Sequence, residues 1–221
     1  KYFLSYFLRE PGFFLHRVYA LIVTAVFAGT LYLNLQPNTG NINAYIGTMF
    51  FTALAVMLTA VASTALFAKD RREAVDRISN GFYTPGLYVT NQFAASSFYN
   101  WFAAFIFVCI FHWTTKIGGN NKEVFIYDIF ISWGHLLVME SALMMFIEVL
   151  KNEFLSTTTG MIFIGTNMMF CGFFRPVTSI PKAISWMCYI VPLKWSFDGF
   201  MWQIFRHQTF LVDKTDPNVY L

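Results

Sequence analysis

Apolar residues run along this chain in long blocks rather than in short alternations. Residues 18–35 and 44–68 contain no charged side chain, and residues 93–113 carry only His112, next to the end of the run. A helix needs about 20 mostly apolar residues to cross roughly 30 Å of hydrocarbon, so each of these blocks predicts a membrane span. Residues 125–150 are long enough for a fourth but hold Asp128, His135, Glu140 and Glu148. Residues 154–174 predict a fifth, polar at Ser156, Thr157, Thr158 and Thr159 and apolar after Gly160. A sixth stretch, 183–205, contains Pro192, Lys194 and Asp198. A proline there frees backbone groups that lipid cannot satisfy, so this stretch predicts a broken, partly re-entrant pair of short helices rather than one straight crossing.

The segments outside the spans have patterns of their own. Lys1, Ser5 and Arg9 lie four apart among Tyr2, Phe3, Leu4, Phe7 and Leu8. That narrow polar stripe predicts a helix lying in the interface plane and stopped by Pro11-Gly12; a ragged lead-in to the first span is the plainer reading. Residues 69–80 (KDRREAVDRISN) place opposite charges four apart at Lys69/Glu73, Arg72/Asp76 and Glu73/Arg77. This spacing supports a short helix, with Gly81 as its C-terminal stop. Charge runs are usually solvated faces, and a surface on which another domain pushes is the functional alternative. Lys and Arg in short loops favour the cytoplasmic side. With the N-terminus inside, Lys1, Arg9, Arg17, Lys69, Arg71, Arg72, Arg77 and Lys151 fall there, against only Lys116 and Lys122 outside before residue 175.

Composition agrees. Of 221 residues, 57% are hydrophobic, 20% aromatic and 12% charged, whereas soluble domains carry about 25% charged residues. Disorder is excluded by the aromatic content. A net charge of +3 without basic runs interleaved with aromatics excludes a nucleic-acid groove. Three cysteines (Cys109, Cys171 and Cys188) with no paired spacing indicate neither a disulfide framework nor a zinc site. Gly160–Thr166 has the glycine spacing of a phosphate loop but lacks its lysine, and neither a His-Glu metalloprotease pattern nor a nucleophile elbow is present. The chain by itself is therefore not expected to be an enzyme. What remains is the set of intramembrane polar residues. Asp128 and His135 share a helix face, and His135 and Glu140 are the ones weighed for function, because an unpaired ionisable group in lipid is unfavourable. Asn100 and Asn167 read as interhelical hydrogen-bonding residues.

Four stretches then follow one another along the chain: Arg9-Glu-Pro11 with Arg17 and Gly29-Thr-Leu-Tyr32; Gly47-Thr-Met-Phe50-Phe51; the charged loop ending in Gly81-Phe-Tyr83; and Phe170-Cys-Gly172-Phe173-Phe174 with Ile180-Pro181, Trp186, Tyr189, Pro192 and Trp195. In this order they resemble the membrane domain of ATP-binding cassette exporters of the G (White/pleiotropic-drug-resistance) branch. The resemblance implies an all-α integral membrane fold. An interfacial connecting helix would cover residues 1–12, and a five-span domain residues 13–174 with a cytoplasmic coupling loop at 69–82. An external, partly re-entrant region would cover 175–221, and the family's sixth span is expected to lie outside the chain.

The resemblance also assigns roles. Lys69, Asp70, Arg71, Arg72, Glu73, Asp76, Arg77 and Gly81 would form the coupling loop, although Asp76-Arg77 inverts the family's second charge pair. Leu54, Ala55 and Leu58 on span two, with Gly165 and Met168 on span five, would line a substrate cavity shared by two membrane domains. Phe173 and Phe174 would plug its external side. No cofactor is expected in this chain: ATP and Mg would be bound by a nucleotide-binding domain outside these residues, expected N-terminally on the same polypeptide. The expected partners are that domain, a second membrane domain and the lipid bilayer. The implied function is ATP-driven export of a hydrophobic or lipid-like substrate by alternating access. The principal alternative is an ion- or proton-coupled secondary transporter using His135 and Glu140 as relay groups, and a non-transporting membrane scaffold is a third reading.

Overall fold

The computed structural model describes residues 11–207 apart from 34, 37, 62 and 118–120. Every regular element among them is helical. The order is α1 (Pro11–Leu31), a 3-10 turn (Thr39–Asn41), α2 (Ile42–Val61), α3 (Thr64–Ser79), α4 (Pro85–Thr115), α5 (Lys122–Leu150), α6 (Glu153–Phe170), a second 3-10 turn (Val177–Ser179), α7 (Met187–Ile190) and α8 (Pro192–His207). The interfacial helix expected over residues 1–10 lies outside the described residues; Pro11 and Gly12, read as its stop, are the first residues of α1.

Among the described residues three helices, α2, α4 and α5, are long and apolar enough to cross a bilayer. The apolar part of α1, Val18–Leu31, is shorter, and α6 has 18 residues with hydroxyls crowding its first turns. α4 is apolar all round: Phe93, Phe98, Trp101, Phe102 and Phe105 point outward while Ala103, Ala104, Phe107 and Phe111 are buried. A helix with no polar face is stable only where its outer surface meets lipid or more protein. The hydroxyls of α2 do not disturb this. Thr48, Thr52 and Thr59 each donate to a carbonyl of the preceding turn, at 2.6, 2.8 and 2.8 Å, so none of these three hydroxyls is left unsatisfied.

Helix ends explain the boundaries. The uncharged run 44–68 is not one helix. α2 stops at Val61 and α3 starts at Thr64 around the buried Ser63, and Phe67 and Ala68 turn away to pack on Ile147 and Met144. α3 closes with Phe82 N donating to Arg77 O (3.0 Å) and Gly81 N to Ile78 O (3.0 Å). This is a two-bond C-terminal cap that needs the left-handed backbone of Gly81, φ 74°. Pro85 and the extended Thr84 begin α4 earlier than its apolar run suggests. Asn121 and Asn152 cap α5 and α6 with their side-chain oxygens.

α5 is the hub, packing against α2, α3, α4, α6 and α8. Its buried Leu136, Met139 and Leu143 share one core with Tyr45, Met49 and Ala53 of α2, Phe107 of α4 and Leu193, Phe200 and Ile204 of α8. α1 lies against α4, where Gly29 allows the approach: a Cβ there would sit 2.8 Å from Cβ of Thr114. The stretch 183–205 is interrupted. α7 ends at Ile190, Val191 is extended, and α8 starts at Pro192.

Candidate functional site

The charged segment forms the outer part of α3, and its attachment to the bundle has two components. Phe67 and Ala68 bury against Ile147 and Met144 of α5. Arg71 Nε donates to Glu148 at 3.1 Å, and Arg72 Nη2 to Glu153 at 3.3 Å. The Arg72 pair is exposed on both sides, and such pairs contribute about 0–1 kcal/mol. Burying a phenylalanine side chain contributes about 1.5–3 kcal/mol. The apolar contact therefore holds α3 in place, and the ion pairs set its register on the ends of α5 and α6. Within α3 the Glu73–Arg77 pair forms at 3.0 Å. Arg72, expected to face Asp76, reaches Glu153 instead, because α6 begins within range of its guanidinium; the helical spacing alone could not reveal that neighbour.

The break between α2 and α3 is tied into the bundle. Glu140, 2% exposed, accepts from Ser63 Oγ at 3.1 Å and from Asn100 Nδ2 at 2.7 Å. One carboxylate thus joins the α2–α3 break, α4 and α5. His135 lies on another side of α5, with Nδ1 2.8 Å from Ser196 Oγ of α8. Asn167 donates to Phe163 O at 2.8 Å and accepts from Leu193 N at 3.3 Å. That N–H belongs to the first turn of α8, where Pro192 begins the helix and the leading donors have no partner within it. Asn167 supplies from α6 what lipid could not.

At the far end of α6 the rings converge. Phe173 stacks on Phe50 of α2 with centroids 4.1 Å apart and planes 6° from parallel, and meets Phe197 of α8 edge-on at 6.1 Å. Phe174 also lies edge-on to Phe50, at 5.4 Å, yet is 64% exposed. Glu153 and these phenylalanines lie at opposite ends of α6, about 27 Å of helix apart at 1.5 Å per residue. The charged segment and the aromatic-rich segment are therefore on opposite sides of the bundle.

The five residues expected to line a cavity fall in two places. Leu54, Ala55 and Leu58 line an open, largely apolar groove of about 670 Å³ between α1 and α2. Gly165 and Met168 belong to α6 and are not among its lining residues, and Met168 packs against the main core. The other wall is Thr24, Phe27, Ala28 and Leu31 of α1. Sequence reading missed these four, although their three-, four- and seven-residue spacing marks one helix face. A second recess, of about 650 Å³, lies at the foot of α6 between Arg72, Lys151, Asn152, Glu153, Phe154 and Thr157. Among the described residues no group of three acidic, histidine or cysteine side chains is placed to hold a metal.

Residues 1–205 match the family described as ABC-2 type transporter. The "ABC transporter G family member 12" of Dictyostelium discoideum is 25% identical over 219 residues, covering 96% of this chain and 33% of the relative. The "ABC transporter G family member STR2" of Petunia hybrida is 22% identical over 206 residues, with 93% and 28% covered. The "ABC transporter G family member 23" of Arabidopsis thaliana is 22% identical over 184 residues, with 82% and 29% covered. The chain spans roughly a third of the length of these curated relatives.

Proposed function

Because this chain belongs to the ABC-2 type transporter family, we propose that it forms one membrane half of an ATP-driven exporter. It pairs with a second membrane domain and moves a hydrophobic or lipid-like substrate by alternating access. α3 is the coupling element. A nucleotide-binding domain, holding ATP and Mg, seats against the charged face of α3 and the polar recess beside Arg72 and Lys151. Nucleotide-driven movement of that domain shifts the populations of inward- and outward-open states by favouring one of them. The membrane part has five spans, α1, α2, α4, α5 and α6, and the residues after Phe174 form an external re-entrant region. Leu54, Ala55, Leu58, Gly165 and Met168 face the substrate path at the junction of the two membrane domains, and Phe173 and Phe174 close its external end.

The observation that carries this reading is the attachment of α3 to the ends of two different helices, through Phe67 on Ile147, Arg71 on Glu148 and Arg72 on Glu153. A solvated loop needs no such seat. A displacement applied to α3 reaches α5 and α6 together, and through Ser63 and Glu140 it reaches α4. The test is uptake of a fluorescent lipid into vesicles containing the full-length transporter. Uptake dependent on ATP hydrolysis is expected. Uptake driven by a proton or sodium gradient without nucleotide would replace this reading with the ion-coupled one, and no uptake of any lipid would remove the lipid-like substrate.

A further inference from the structure

The interface between α5 and α8 holds polar atoms that its hydrogen bonds do not use. The two helices run antiparallel, with the register set at three levels. His135 Nδ1 lies 2.8 Å from Ser196 Oγ, a Cβ on Gly199 would lie 3.2 Å from Ile131 Cδ1, and His207 Nε2 lies 3.2 Å from a Glu123 carboxylate oxygen. Seven residues on from Ser196 is Gln203, and the matching seven back along α5 from His135 reaches Asp128. Asp128, Ser132 and His135 form one stripe of α5, and Ser196, Gly199 and Gln203 form the facing stripe of α8.

Asp128, Ser132 and Gln203 are 8%, 0% and 1% exposed. Asp128 Oδ1, Ser132 Oγ and both amide atoms of Gln203 have no hydrogen-bond partner among the described residues. The basic side chains of α8 are engaged elsewhere. Lys194 pairs with Asp198 and lies 4.4 Å over the Trp195 ring, Arg206 lies 4.7 Å over Trp202, and His207 pairs with Glu123. Buried polar groups are strongly unfavourable unless partnered, and a buried carboxylate more so.

We propose that Asp128, Ser132 and Gln203 form a site for a hydrated, sodium-class monovalent cation that cross-links α5 to α8. The chemistry of the donors selects this class. A carboxylate, a hydroxyl and an amide carbonyl are hard oxygen ligands that suit alkali and alkaline-earth ions. A single carboxylate balances one positive charge, whereas divalent calcium takes six to eight oxygens and is usually held by several carboxylates. Gly199 brings α8 close to α5 at the level of Ser132. The cation's water accepts from the Gln203 Nε2–H, which the metal cannot do. This inference is independent of how transport is driven.

The test is thermal unfolding of the full-length transporter in nanodiscs, titrated with sodium chloride against choline chloride at constant ionic strength. The expected result is a saturable rise in Tm with sodium, of roughly 2–4 °C, that choline does not produce. Asp128→Asn should abolish the rise, and Ser132→Ala, which removes one ligand with little change in volume, should move its midpoint to several-fold higher sodium. Equal behaviour in sodium and choline would overturn the proposal, as would a sodium response that both variants retain. If Asp128→Asn does not fold, Ser132→Ala decides alone.

Discussion

Glu140 is a carboxyl group deep in the bundle, and its surroundings show what makes such a residue tolerable. It accepts from Ser63 and Asn100, hydrogen bonds that in a low-dielectric interior are stronger than in water. Glu140→Ala removes the acceptor of both, and truncating a buried hydrogen-bonding partner costs about 1–3 kcal/mol for each group left without one. The expected outcome is a fall of several degrees in Tm, read by tryptophan fluorescence of the purified protein. Glu140→Gln, which keeps one carbonyl oxygen, should lose clearly less. Equal losses would show that an acceptor at both oxygens, not at one alone, is what matters. The presence of a polar group at position 140 was legible in the sequence, since a glutamate inside an apolar run stands out. Its partners were not, because Ser63 and Asn100 lie 77 and 40 residues away and nothing in local spacing connects them.

Among the elements, α3 and the end of α6 allow the sharpest comparisons. If the apolar seat holds α3 and the exposed ion pair only orients it, Phe67→Ala should uncouple ATP hydrolysis from transport more strongly than Arg72→Ala. The readout is the ratio of substrate moved to ATP hydrolysed in vesicles. A larger effect from Arg72→Ala would reverse the energetic order argued from burial. Phe173 and Phe174 differ in the same manner. Phe173 is packed between Phe50 and Phe197, so Phe173→Ala should lower stability by about 3 kcal/mol through cavity formation. Phe174 is exposed, and Phe174→Ala should leave Tm nearly unchanged while raising leak across the membrane. Leak equal to that of the unaltered protein would remove Phe174 from the gate. Helix starts and stops were partly legible, through Gly81 and Pro85. The break at Ser63 was not, since the apolar run continues through it and only Ile147 and Met144, from a distant helix, draw Phe67 and Ala68 aside.

For the whole molecule, sidedness is the property on which the transport reading depends. The charged face of α3 and the ring cluster after α6 lie at opposite ends of the bundle, so single cysteines at Arg77 and Ser179 should be labelled from opposite sides of the membrane. In intact cells an impermeant maleimide should modify Ser179→Cys but not Arg77→Cys. Labelling of both from outside would place α3 on the external side and end its role as a coupling element. The lysines and arginines of the sequence set this expectation, because charge bias in short loops is a property of the loops themselves.

The sequence by itself determined that α2, α4 and α5 are apolar enough for lipid and that the outer part of α3 is charged. These follow from composition over about 20 residues, the length that a bilayer measures. Tertiary structure alone decided that α5 is the hub, that Asn167 caps α8 where Pro192 breaks the chain, that Leu54, Ala55 and Leu58 share a groove with α1, and that Asp128, Ser132 and Gln203 are buried. The physical reason is that a helix apolar on all sides has no face marked as inward. Its rotation and neighbours are settled by side-chain packing and by the few polar groups that must find partners from other helices.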